Sequence, residues 1–118
     1  MRTAALGSRL FDLENSYVVP SGEDRERIIS ILRLNKQSIA LLREATPVLE
    51  SIFGQVLRLA LHLDRDPEDG FEEIFATIRS PHSLETGLLL MAEFDRKWWL
   101  SRLPFAKGKL NFMWEPQE

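Results

Sequence analysis

Cysteine is absent from the 118 residues, and with it go disulfides, thiolate metal sites and thiol chemistry. That composition suits a reducing compartment, so the expected location is cytoplasmic. Imidazole is scarce as well: His62 and His82 are the only histidines. A nucleophilic triad needs Ser, Cys or Thr beside a base that a third group orients. The pattern puts His62 on the outer face of a strand and His82 in a turn, which reads as one surface and one turn histidine. The six glycines stand singly, and no Walker-type loop, dinucleotide fingerprint or His-Glu-x-x-His occurs. No cofactor or metal is therefore expected.

Long apolar runs are missing too. Leu88-Leu89-Leu90-Met91-Ala92 is among the longest, against the roughly 20 residues that a membrane helix needs. The opening Met1 to Arg9 lacks the apolar core of a signal peptide. A net charge of -3 gives no overall attraction to nucleic acid or anionic lipid, so no membrane partner is expected. What is present is ordinary for a globular chain, with 44% hydrophobic and 28% charged residues. A chain of this length can bury a core without covalent staples.

Residues 1–20 show no sustained period and read as an arm that packs on the body, or on a second copy. Leu6, Leu10, Phe11 and Leu13 fit a helical turn or two, while Tyr17 to Pro20 is extended. The remainder, 21–118, reads as a single domain. Ser21 offers an N-cap, with acids at 23 and 24 in the first turn. Ile28, Ile31, Leu32, Ile39 and Leu42 then share one helical face, predicting a long amphipathic helix to about Ala45. Asn35 lies in the middle of that stripe, where it could fix register between helices or bond to nearby backbone. Thr46-Pro47 reads as a stop and a new start, giving a short helix from Val48 to Phe53 capped by Gly54.

After Gly54 the period changes to two. Leu57, Leu59, Leu61 and Leu63 alternate with Arg58, Ala60 and His62, which predicts a half-buried strand. The run Asp64 to Gly70 is dense in turn residues, and Phe71 to Arg79 follows with Ile74, Ala76 and Ile78 on one face. The two strands make a hairpin. Its acidic tip does not match a calcium loop, which needs glycine at the sixth position and glutamate at the twelfth. Counted from Asp64, those positions hold Asp69 and Phe75. Ser80-Pro81-His82-Ser83 then supplies an N-cap for a helix with Leu84, Leu88, Met91, Phe94 and Trp98 on one face, ending at Pro104. Leu110, Phe112 and Trp114 alternate as a last strand. The expected class is α+β, with a long and a short helix, a hairpin, a helix and a final strand in a small, mostly antiparallel sheet of about three strands. A right-handed crossover would set the third strand beside the first.

Three features ask for a function. Asp95 would fall on the apolar face of its helix, and a lone buried carboxylate is costly. Either the helix breaks there and Asp95 caps a final turn, or the acid sits in an aromatic pocket with a raised pKa. Arg96, Lys97, Arg102, Lys107 and Lys109 are interleaved with Trp98, Trp99 and Phe105, a footprint of single-strand binding; core tryptophans with cations at a helix end explain the same pattern. Finally, the helical stripes and the outer sheet positions Val56, Phe75 and Met113 exceed what one small sheet covers, and surplus apolar surface marks association.

The segment Phe94-Asp95-Arg96-Lys97-Trp98-Trp99-Leu100-Ser101-Arg102-Leu103-Pro104, with Gly108-Lys109-Leu110, resembles a pattern in small uncharacterised bacterial proteins. The likeness covers roughly the second half of the chain. It implies a bacterial origin and supports the paired strands, and it carries no activity and no site residues. The expected function is that of an interaction or accessory protein, acting as a homodimer or with a partner chain. One alternative is a nucleic-acid module built on 96–109. Another is a small-ligand binder or enzyme with a pocket at Asp95. The binding residues expected across these readings are Asp95, Arg96, Lys97, Trp98 and Trp99.

Overall fold

The structure, a computed structural model, describes residues 12–54 and 57–117. The expectations at Leu6, Leu10, Phe11 and Val56 lie outside the described residues. Residues 12–16 are helical, and the chain then runs α1 (Gly22–Leu34), α2 (Lys36–Phe53), β1 (Arg58–Arg65), β2 (Glu72–Ser80), α3 (Leu84–Phe94), a π-helical turn (Asp95–Trp99), α4 (Leu100–Ala106) and β3 (Leu110–Pro116). This is an α+β fold on a three-stranded sheet. β1 and β2 pair antiparallel in register Leu61↔Ala76; β2 and β3 pair parallel, with Ala76 opposite Phe112.

The two strand periods survive intact. Leu59, Leu61, Ile74, Ala76, Ile78, Leu110, Phe112 and Trp114 all face inward and are buried. They meet Ile28, Leu32, Leu42, Leu49 and Phe94 from the helices in one continuous core. Strand order departs from expectation: it is β1-β2-β3, so the third strand lies beside the second rather than the first. The free edge of β1 is already taken. Val18 donates its N–H to the Leu59 carbonyl at 2.9 Å and accepts from Leu61 N–H at 2.8 Å. That bridge leaves the edge of β2 for β3, and makes β2 the central strand, buried to completion at Ile74, Ala76 and Ile78. Leu13 and Tyr17 anchor the same segment in the core. The Tyr17 hydroxyl donates to the Leu42 carbonyl at 2.8 Å, and burial pushes the phenol up to about 12.

The helices are divided differently from the reading of the sequence. The first long helix ends at Leu34, and Asn35 is the break. Its side chain donates to the Ile31 carbonyl at 2.9 Å, which also accepts the Asn35 backbone N–H at 2.9 Å. The second helix then runs through Thr46-Pro47 without stopping. Proline there removes one donor, and at the same turn the Leu42 carbonyl accepts from both Tyr17 and the Thr46 hydroxyl. Side-chain bonds therefore hold the turn that the backbone alone would weaken. Ser21 occupies the N-cap of α1 without a capping bond, whereas Ser83 caps α3 as expected, accepting from Thr86 N–H.

The last helix also passes its proline. Pro104 lies inside α4, exposed, and the helix closes at Lys107, which adopts a left-handed φ of 52°. The expected buried face holds at Phe94 and Trp98, with Met91 packed against the core, but fails at the start of α3. Leu84 and Leu88 are exposed, and Gly87 turns inward. A Cβ at Gly87 would lie 2.1 Å from the Trp114 ring, so the indole occupies the space that a leucine stripe would have needed.

Candidate functional site

The segment Asp95–Trp99 forms a single π-helical turn, in which the Leu100 N–H reaches back to the Asp95 carbonyl. Such a turn inserts one extra residue and rotates the faces on either side of it. Adjacent residues of a regular helix point about 100° apart; here Trp98 and Trp99 are both buried, at 7% and 3% exposure. Their rings stack 6.0 Å apart, and the Phe112 ring meets Trp99 edge-on at 4.7 Å. The Trp99 indole donates to the Asn111 side chain at 3.1 Å. These indoles are core, and a nucleic acid strand has no access to their faces.

The charged members of the segment are not gathered into one site. Lys97 pairs with Glu93 at 2.6 Å, which holds the Glu93 carboxyl below its ordinary range. Arg102 lies over the Trp98 ring at 5.1 Å, and Lys109 over Phe71 at 4.6 Å. Arg96 is exposed. Asp95 is not a helix cap: its backbone is helical, φ -58° and ψ -50°. Its carboxylate is half-buried, and burial raises its pKa. None of the clefts described below is lined by Asp95.

A serine–histidine contact was not legible in the sequence. Ser80 Oγ lies 2.8 Å from His82 Nδ1 and accepts from the Trp114 indole, also at 2.8 Å. The His82 ring in turn meets Phe53 edge-on. A nucleophile must reach substrate, and Ser80 is wholly buried. The trio closes the end of β2 over the core. The spacing Ser-x-His at a strand end was the available signal, and only the position of Trp114 gives it meaning.

Among the described residues no three histidine or carboxylate side chains are placed to share a cation. At the hairpin tip Asp66 Oδ1 accepts from Glu68 N–H and Asp69 Oδ1 from Phe71 N–H, so these acids shape the turn. No helix among the described residues is long and apolar enough to cross a membrane.

Three surface features remain. A cleft of about 500 Å³ lies between α2 and α4 with Ala40, Leu41, Glu44, Arg102 and Phe105 in its wall. The outward side of α3 carries Leu84, Leu88 and Leu89 at 63%, 54% and 66% exposure. The outer face of the sheet carries Val18 at 70% and Met113 at 42%, with Ala60, Thr77 and Phe75 between them. Compared with models of known families, with curated proteins and with solved structures, the chain matches none.

Proposed function

We propose that this chain works by binding protein, as a homodimer or with a partner chain, in an accessory or regulatory role rather than by transforming a small molecule. The observation that carries this is the leucine patch on α3. Leu84, Leu88 and Leu89 project outward together, although the fold has a closed core that could have used them. Three exposed leucines within two turns of one helix cost solubility unless something covers them. Leu103 and Phe105, further along the helical run, are exposed as well.

A photo-crosslinking amino acid placed at Leu88 tests this in cells. A discrete adduct is expected, either at twice the mass of the chain or at the mass of the chain plus one partner. Only unreacted chain, under conditions where an exposed control position is equally unreactive, would show that the patch meets no protein.

A further inference from the structure

The outer face of the sheet has a charge pattern that a monomer does not explain. The register places Arg58 opposite Arg79 at one end of the hairpin and Asp64 opposite Glu73 at the other. All four side chains belong to the same outer face as Ala60, Thr77 and Phe75, since residues two apart share a face. Like charges directly opposite across strands destabilise a sheet. Here there are two such pairs, of opposite sign, at opposite ends. Arg79 is partly compensated by Glu115 at 3.6 Å, while Arg58, Asp64 and Glu73 have no ion pair among the described residues. Between the two ends the face is uncharged and mixed: Val18, Ala60, Phe75 and Met113 flank the buried Thr77, with His62 and Asn111 on either side of Phe75.

We propose that a second copy of this chain docks on the outer sheet face, face to face, about a two-fold axis lying across the strands at the level of Leu61, Ala76 and Phe112. The inference rests on the protein-binding reading above and names the partner and surface. A two-fold in that direction reverses the strands of the partner, so the arginine end of one copy meets the acidic end of the other. Arg58 then faces Asp64 of the second copy and Arg79 faces its Glu73, twice by symmetry. Ala60, Thr77 and Met113 lie over the row containing His62, Phe75 and Asn111. Both like-charge pairs gain opposite charges, and the exposed Val18 and Met113 lose contact with water. The Arg58–Arg79 end is also concave, lined with Glu115 and Pro116, a shape that admits an incoming carboxylate. The strand spacings give the face a plan area on the order of 450 Å² per copy. That is below the standard size for a specific interface, so the pairing is a weak one that charge complementarity has to support.

Sedimentation equilibrium on the full chain, from about 5 μM to about 1 mM, tests the pairing through two single substitutions. Arg58→Glu and Asp64→Lys each turn a like-charge cross-strand pair into an opposite-charge one, so each variant folds at least as stably as the parent. Each also places like charges across the two-fold, so its self-association falls at least tenfold. Mixing the two variants restores every cross-interface pair, and a heterodimer as tight as the parent dimer is expected. A parent chain that stays monomeric at about 1 mM overturns the inference, as does a dimer that both variants leave unchanged. A monomeric parent together with a Leu88 adduct to another protein would overturn it while leaving the protein-binding reading in place.

Discussion

Gly87 is where a single residue decides how the last helix lies. Its missing Cβ lets the Trp114 ring sit against the α3 backbone, and that ring cannot slide away because its N–H is bonded to Ser80. Gly87→Ala adds a carbon into a filled space, and overpacking of this kind costs about 1–3 kcal/mol, outweighing the roughly 1 kcal/mol that alanine gains in a helix. A urea midpoint below that of the parent is the expected result; an unchanged or higher midpoint would mean that the indole has room to move. Ser80→Ala at the other end of the same contact leaves the Trp114 N–H and the His82 ring without their common partner. It is expected to destabilise the fold by about 1–3 kcal/mol, without any effect that depends on a catalytic serine. Neither residue stands out along the chain, because glycine within a helix and serine at a strand end have no periodic signature.

Among the elements, the alternating strands were legible and the helix boundaries were not. Leu59 and Leu61 face in while Arg58 and His62 face out, because the pleat forces a period of two whatever surrounds the strand. The helix boundaries depended instead on particular side chains that periodicity does not single out. Pro47 continues a helix that local rules would end, with Tyr17 bonded to the carbonyl of the preceding turn. Asn35 ends a helix in the middle of an unbroken apolar stripe, where periodicity offers no warning. The π-helical turn, which shifts the faces on either side of it by one residue, likewise has no signature in the periodicity.

The arm strand is an element in the same sense, and it can be tested alone. Val18→Pro removes the N–H that bonds to Leu59 and should loosen only that edge, at a cost of about 1 kcal/mol. Hydrogen exchange at Leu61, whose N–H is held by the Val18 carbonyl, is expected to quicken while Ile74, Ala76 and Ile78 stay protected. Uniform loss of protection would show that the arm is part of one cooperative unit with the sheet.

For the whole molecule, acid stability turns on the seam between α1 and the hairpin. Glu72 accepts from Arg27 and from Arg65, the latter at 2.8 Å, and the side-chain bonds hold its carboxyl down to about 2. The folded pKa lies below the unfolded one, so this stabilisation is complete above about pH 4.5 and fades as pH falls toward about 2. Asp95 and Glu73 act in the opposite sense. Burial raises both, with Asp64 adding to the shift at Glu73, so protonation of these two favours the folded state. Glu72→Gln is expected to lower the urea midpoint at pH 7 and to converge on the parent near pH 2. A constant gap across that range would mean that the three-way contact contributes nothing through charge.

The sequence by itself determined the α+β class, the hairpin with its register of buried and exposed faces, the capped start of α3 and the burial of Leu110, Phe112 and Trp114. These follow from local sterics and from the fixed periods of helix and strand, which act on residues near one another in the chain. Only the tertiary structure decided the strand order, the break at Asn35, the passage through both prolines and the inward turn of Gly87. The strand order rests on Val18 against β1, the passage through Pro47 on Tyr17 at Leu42, and the inward turn of Gly87 on Trp114, groups brought together from far apart. The same is true of the outer sheet face, where charges unremarkable in sequence become two opposed like-charge pairs once β1 and β2 are laid side by side.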